Sequence, residues 1–342
     1  MADAENRPQG RMRFVSAEQV AQRAGVSRSA VSRTFTPGAS VAPATRAKVL
    51  EAARELGYQV NDLARGVLAN HSRLVGIVAT KPEVGFRAHL ASALAKALIA
   101  RGNIPVLINT GQTEAEMLAA QRTLIGHRAE ATVILSGSPP QSFFDLARRN
   151  GQPLVVIGRS EPDADHVRAG NSEASRKAAA AFLRAGRTRL AIAGSASGTP
   201  SIRERETAFA AEAERLGASV AIGRGADSDY ESGVAAARLL FGGAGHPDAV
   251  FCVNDQIAFG LMDFIRCERG LAVPEDVAVI GFDDVPEAAW LSYRLTTFRQ
   301  DPVSMAARAV DLIGRRLAEP DLPPAYERII PDFVVRQSFI PA

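Results

Sequence analysis

Residues 15–35 read VSAEQVAQRAGVSRSAVSRTF. Ser16 followed by Gln19 is a capping-box pattern and predicts a short helix over 17–24. Gly25-Val26 supplies a tight turn, and Ser27 is suited to cap a second short helix over 28–35. Downstream, Pro37-Gly38-Ala39-Ser40 reads as a loop. Pro43 and Thr45 then precede a third helix, TRAKVLEAARELGY, whose inner stripe is Val49, Ala52, Ala53 and Leu56. Helices this short are marginal in isolation, so the three must share one small core. Helix, glycine turn, helix, third helix is the helix-turn-helix layout.

The second helix then has two faces. Ala30, Val31 and Phe35 are expected to turn inward, which leaves Arg28, Ser29 and Arg33 outward. A helix of this kind fits the DNA major groove, where arginine bridges guanine O6 and N7, and serine donates or accepts. Ser16, Ser27, Ser32, Thr36 and Ser40 are short hydroxyls suited to phosphate contact. A solvated three-helix bundle with ordinary Arg and Ser decoration satisfies the same spacing. Charge distribution leans toward a polyanion: residues 1–70 hold ten Arg/Lys against six acids, whereas 71–342 hold 30 against 31. The net charge of +3 therefore arises wholly in the first fifth of the chain.

On the N-terminal side, residues 1–13 are polar and expected to be disordered. On the C-terminal side, NDLARGVLA (61–69) is helix-like but short and interrupted by Gly66, so it reads as a linker or as a helix that orders on contact. From residue 74 the pattern changes. Apolar runs at 74–79, 104–108, 131–136 and 153–158 alternate with helical stretches near 88–101, 113–126 and 141–150. A second series follows, with strands at 189–194, 218–222, 249–253 and 277–282 and helices near 172–185, 203–216, 231–241 and 256–268. Near-continuous apolar strands alternating with helices predict parallel sheets covered on both faces, here as two α/β lobes. LTTFRQ (295–300) is a late strand, 302–318 a helix, and YERIIPDFVVRQS a terminal strand pair.

Composition narrows the function. A chain of 342 residues, 46% of them hydrophobic, can build two or three compact units without disulfide staples. Cys252 and Cys267 are the only cysteines, and the five histidines are scattered, so no metal or cofactor site is expected. No 18-residue apolar run suggests a membrane span, and MADAENRPQGRMR lacks the apolar centre of an export signal. The expected location is the cytoplasm.

The head motif is dense enough to place the chain. Val20-Ala21, Ala24-Gly25-Val26-Ser27, Val31-Ser32-Arg33, Val41, Thr45-Arg46, Val49, Ala52-Ala53, Leu56-Gly57-Tyr58, Asn61 and Ala64-Arg65 resemble, without gaps, the DNA-binding head of the lactose-repressor and galactose-repressor family. VNDQIAFG (253–260), GLAVPEDVAVIGFDDVPEAAW (270–290) and LTTFRQ extend the likeness to about residues 14–338. The resemblance implies a transcriptional regulator, a repressor by the family's usual mode, and no enzyme. It implies a periplasmic-binding-protein-like sensor of two lobes that dimerises and closes on a small effector. It also implies base reading by Arg28, Ser29 and Arg33, backbone positioning by Ser16, Ser32, Thr45 and Asn61, and a hinge helix over 61–69. Ala64, Val67 and Leu68 belong to that hinge, with Val67 in the register of the usual minor-groove wedge leucine. Val60, Gly66 and Ala42 depart from the family's proline, helical residue and serine.

The expected domains are a head at 14–60, hinge and linker at 61–72, and a sensor at 73–342. Within the sensor, 73–172 and 296–301 are assigned to the first lobe, and 173–295 and 302–342 to the second. No late heptad run appears, so the expected partners are a second copy in a homodimer, a pseudo-palindromic duplex operator, and an effector.

In open parallel sheets, ligands bind beyond the C-terminal strand ends, which points to 81–87, Gly158-Arg159, 195–205, Asn254-Asp255 and Asp283-Asp284. By resemblance Arg205, Asn254 and Asp283 line the effector cleft, although Asn254 or Asp283 could instead cap the following helix and Asp284 is read as a cap. Phe86 retains the first aromatic of the family's loop-to-helix pair, while Arg87 replaces the second. Gly158 and Gly170 stand where acids are common, and Ser228 replaces a stacking aromatic, with Tyr230 close by. An acid lost and a base gained, with Arg87, Arg159 and Arg205 together, favour an anionic effector such as a sugar acid or phosphorylated sugar. A neutral sugar, or a nucleobase or other metabolite, is the alternative. Two rival functions explain less: a solute-binding protein of transport leaves the first 70 residues unused, and an α/β enzyme has no GxSxG, P-loop or His–carboxylate set to work with.

Overall fold

A computed structural model describes residues 14–36, 38–60, 71–111, 113–135, 139–159, 164–243 and 245–341. The expected disordered tail and the hinge residues Asn61, Ala64, Val67 and Leu68 lie outside them. The chain divides into two compact units, residues 1–72 and 73–342.

In the first unit, α1 (Ala17–Ala24) carries the full capping box: Gln19 N–H donates to Ser16 Oγ, and Ser16 N–H donates to Gln19 Oε1 at 2.8 Å. Gly25, at φ 66°, ends it in the left-handed region that a side chain disfavours. Ser27 caps α2 (Arg28–Thr34) through Ala30 N–H. The third helix, α3 (Pro43–Leu56), starts two residues before the expected Thr45, because proline is favoured at the first helical position. Val20, Ala21, Val31, Val49, Ala52 and Ala53 form the core, closed by Phe35 against Tyr58 at 5.5 Å. Ala30 is only half-buried, and Thr34 takes the inward place beside Val31.

The second unit is two α/β lobes. Its first lobe runs β1 (Leu74–Ala79), α4 (Phe86–Ala100), β2 (Ile104–Asn109), α5 (Glu114–Gly126), β3 (Ala131–Ile134), α6 (Gln141–Arg149), β4 (Leu154–Ile157) and β5 (Asp165–Ala169). The second runs α7 (Asn171–Arg184), β6 (Leu190–Ser195), α8 (Pro200–Arg215), β7 (Val220–Gly225), α9 (Tyr230–Leu240), β8 (Ala249–Cys252), α10 (Asp255–Cys267), β9 (Ala278–Ile280) and β10 (Thr297–Arg299). Then α11 (Pro302–Ala318) and β11 (Tyr326–Ile329) return to the first lobe, and β12 (Asp332–Val334) pairs antiparallel with β10. Among the described residues the sheets order as β11-β5-β4-β3-β1-β2 and β7-β6-β8-β9, all parallel.

Three expectations need correction. The lobe assignment of 296–301 is wrong, and that of 302–342 holds only for its last residues, from β12 onward. Met305, Ala309 and Ile313 of α11 pack with Leu90, Leu94 and Leu98 in the first-lobe core, whereas Phe298 and Phe339 lie in the second-lobe core. An apolar stripe says which face of a helix is buried but not in which core. The expected terminal strand pair is two strands that join different sheets. Finally, β5 was not foreseen, because DHVRA has no apolar run. Its buried Asp165 is held by the Arg316 guanidinium at 2.8 Å and by Ala325 N–H at 2.8 Å, so a polar strand sits inside the sheet.

Two glycines set the packing beneath the cleft. A Cβ on Gly233 would lie 2.2 Å from Ile257 O, and one on Gly260 2.1 Å from Tyr230 O. Thus α9 and α10 meet backbone to backbone, which draws together the loops that follow β7 and β8. No helix among the described residues is long and apolar enough to cross a membrane.

Candidate functional sites on the head and in the cleft

On α2, Arg28, Ser29, Ser32 and Arg33 are all exposed, and their i, i+4 spacing sets 28 beside 32 and 29 beside 33 on one face. The side chains of Arg28 and Arg33 make no hydrogen bond or ion pair among the described residues. Elsewhere on the head, three arginines are engaged. Arg23 pairs with Glu55 at 2.6 Å, Arg54 with Glu51 at 2.6 Å, and Arg46 donates to Thr34 O and Ala39 O. Arg46 is therefore a brace between α3 and the loop after α2. Ser16 and Ser27 accept from backbone N–H groups at the helix starts. Ser29 Oγ lies 2.9 Å from Ser27 Oγ, so its hydroxyl is partly engaged toward the helix end. The Thr36 hydroxyl donates to Ser32 O, and Thr45 is half-buried in the first turn of α3.

Between the lobes of the second unit lies a cavity of about 290 Å³. Phe86, Arg87, Gly158 and Arg159 line it from the first lobe; Asn171, Arg205, Asp227, Ser228, Asn254, Asp283 and Gln300 line it from the segments of the second lobe and its crossings. Arg205 is 5% exposed and highly organised. Its Nε donates to Asn171 Oδ1 at 2.8 Å, its Nη1 to Val253 O at 2.7 Å and to Asp283 Oδ1 at 3.4 Å, and its guanidinium stacks 3.5 Å over Phe282. Burial pushes its pKa down and Asp283 pulls it back, but guanidinium stays charged at any ordinary pH. Asp283 sits at φ 127°, a strained value for a side-chain-bearing residue, and also accepts from Gln300 Nε2 at 2.6 Å. Beneath it, Asp255 accepts from the Thr297 hydroxyl at 2.6 Å and from Val285 N–H at 3.0 Å. Burial raises the pKa of both carboxyls; the Asp283 charge adds to the rise at Asp255, while Arg205 and Gln300 pull Asp283 part of the way back.

Asn254 lines the cavity while its amide is used twice within the protein. Its Oδ1 caps α10 through Ile257 N–H, and its Nδ2 donates to Ser228 O at 2.8 Å, cross-linking the loops after β7 and β8. Arg87 is half-buried and donates once, to Thr80 O at 3.0 Å; it forms no ion pair among the described residues. Burial pushes its pKa down, against the pull of Asp227 and Asp283.

Two expectations fail here. Tyr230 does not line the cavity: it starts α9 on the outside, and its hydroxyl donates to Asp263, which also receives the Tyr293 hydroxyl. Asp284 caps nothing; Arg299 and Arg336 hold its carboxylate. Sequence reasoning pointed to the 81–87 loop but missed Asp227 and its ion pair with Lys81, which at 2.5 Å spans from the end of β1 to the end of β7 and so bridges the lobes. Asp227 lies in GRGAD, which reads only as a weak glycine-rich stretch. Burial alone would raise its carboxyl, but Lys81 and the Ser228 N–H outweigh it and hold it below the usual range.

Comparison with known proteins gives this geometry a place. Residues 18–61 match the family model for bacterial regulatory proteins of the lacI family, and 179–339 match that for a periplasmic binding protein-like domain. The head is that of a lacI-family regulator. Among curated relatives, the ribose operon repressor of Escherichia coli is 29% identical over 327 residues, covering 94% of this chain and 98% of that one. The HTH-type transcriptional repressor PurR of Photobacterium profundum is 27% identical over 326 residues, covering 94% and 97%. Among solved structures, the transcriptional regulator CelR–cellobiose complex matches with a TM-score of 0.71 at 28% identity, covering 95% of this chain and 100% of that one. The lac repressor dimer bound to operator and the anti-inducer ONPF shares the fold, with a TM-score of 0.85 at 23% identity over 95% and 99%. With this head and sensor, the chain is a sequence-specific DNA-binding regulator of transcription, a repressor by type, and not an enzyme.

Proposed function

We propose that this regulator, acting in the cytoplasm as a homodimer, holds a pseudo-palindromic duplex operator and changes its grip when a small anionic effector occupies the cleft. On the head, Arg28 and Arg33 read base edges, Ser29 assists, and Ser16, Ser27, Ser32, Thr36 and Thr45 contact phosphates. In the cleft, Arg205 and Asp283 engage effector hydroxyls, and Phe86 covers one face. Asn254 holds the loops that frame the site. A sugar acid or a phosphorylated sugar fits best.

The observation that carries the anionic class is Arg87. A half-buried guanidinium with one carbonyl partner, and with Asp227 and Asp283 acting on it only from beyond ion-pair distance, has lost hydration without full compensation. An effector carboxylate or phosphate supplies the missing direct partner. Titration calorimetry with glucose, gluconate and glucose 6-phosphate tests this. An acidic member should bind more tightly than glucose, and Arg87→Ala should weaken it by roughly 10- to 100-fold, the range for a hydrogen bond to a charged group. Tighter binding of glucose, unaffected by Arg87→Ala, overturns the anionic class. A neutral sugar is the second reading. It is supported by the cellobiose in the CelR complex and the ribose bound to a related Enterococcus faecium regulator, and by the paired donors and acceptors of Arg205 and Asp283.

A further inference from the structure

The chain passes between the lobes three times: at 170–171, at 300–301 and at 330–331. Arg205 reaches two of these passages. Its Nε holds Asn171, the first residue of the second lobe after β5, and its Nη1 meets Asp283, which in turn holds Gln300 just before α11. Asn171 is 1% exposed, and its amide has one orientation that satisfies both ends: Oδ1 accepts from Arg205, and Nδ2 donates to Glu204 Oε2 at 3.1 Å. The same Glu204 oxygen receives the Arg168 guanidinium at 2.5 Å, while its other oxygen receives the Ser172 hydroxyl at 2.7 Å. Arg168 lies on β5 in the first lobe, and Glu204 lies on α8 in the second. Burial would raise the Glu204 carboxyl, but Ser172, Asn171 and Arg168 outweigh it and keep it ionised.

We infer that Glu204 is a positioning residue that couples Arg205 in the cleft to Arg168 of the first lobe through the Asn171 amide. Glu204 and Arg205 are consecutive, so one turn of α8 presents its cation to the cleft and its carboxylate to the end of β5. Any group that moves Arg205 must pull on Asn171. Reorienting that amide would turn its oxygen toward Glu204, placing two acceptors face to face. The strain is relieved only if Glu204 shifts, and Glu204 holds the first lobe. Movement in the cleft thus becomes movement at a passage between the lobes, whatever the chemical class of the effector.

The test needs no effector and uses the full-length protein. Amide hydrogen exchange is measured over 165–170, with 154–157 of β4 and 249–252 of β8 as internal references. Arg205→Lys keeps the charge but loses the Nε bond to Asn171. It should speed exchange over 165–170 by roughly threefold to tenfold, the range expected for contacting residues, and leave both references unchanged. In a Glu204→Ala background the same change should add nothing over 165–170. An Arg205→Lys protein that exchanges like the parent there, or an equal increment in both backgrounds, overturns the inference. If exchange at 249–252 also rises, the second lobe itself has loosened. The cycle is then read with Glu204→Gln and Arg205→Gln by the same rule: non-additive increments support coupling, and additive ones overturn it. No effector is present at any stage, so failure here leaves the anionic proposal standing.

Discussion

Arginine is used in opposite ways on α2 and in the cleft. Arg28 and Arg33 stand exposed with no partner among the described residues, while Arg205 is 5% exposed and shares its guanidinium among Asn171, Val253 and Asp283. A groove-reading side chain must meet a large, hydrated polyanion, so it loses little by waiting in water. A small effector offers few groups, so the protein orders its own donor before the ligand arrives. The contrast predicts which substitutions damage the fold and which damage only recognition.

The largest effect should come from Arg205→Ala. Removing one partner of a buried pair leaves Asp283 without its cation, at a cost of about 3–5 kcal/mol. Urea unfolding of the sensor checks this, and a loss near zero would erase the distinction between the two arginines. Next is Arg33→Ala, and Arg28→Ala with it. Each should leave the unfolding midpoint within error, while operator affinity falls by about 1–3 kcal/mol per lost base contact, with relaxed preference at one position of each half-site. Affinity measured over a salt series separates base reading from phosphate contact, since only the latter reduces the salt slope.

The smallest effect sharpens the cleft side. The pKa values of Asp255 and Asp283 are raised on folding, so the native state binds more protons than the unfolded chain above the ordinary carboxylate range. Stability from this pair is complete at low pH and is lost as pH rises through the raised values. The slope is at most about 1.4 kcal/mol per pH unit for each proton. Asp255→Asn, with its amide N–H₂ facing the Thr297 hydroxyl oxygen, should flatten that slope. A parent protein whose stability rises across the same range would reverse the assignment.

Much of the molecule was legible in the chain, and the legible part is local. Ser16 with Gln19, Gly25 and Ser27 mark helix ends through bonds spanning a few residues, so α1 and α2 fall close to their expected places, while α3 ends at Gly57, inside the expected helix. The apolar runs at 74–79 and 249–253 announced buried parallel strands because both faces of each are covered. Phe86, Arg87, Arg159, Arg205, Asn254 and Asp283 come to the cavity because strand ends converge there in any open parallel sheet. Tyr230 failed because proximity along the chain to Ser228 did not reveal that α9 begins there and turns its side chain outward. Lys81 and Asp227, 146 positions apart, carry no mark in the sequence of their pairing.

What the sequence by itself determined is the kind of protein: a capped helix-turn-helix head, two series of strand and helix, and arginines in the right registers. Those follow from periodicity, capping and turn chemistry, which act over a few residues. Only the tertiary structure decided that α11 belongs to the first lobe and Phe298 to the second. It alone showed that Asn254 is spent on its own loops, and that Asp165 can sit inside a sheet because Arg316 reaches it. These depend on which distant group supplies the missing hydrogen bond or fills the adjoining space. Burial makes that choice decisive, since an unpaired polar group or an empty volume in a core costs as much as the local preferences it overrides.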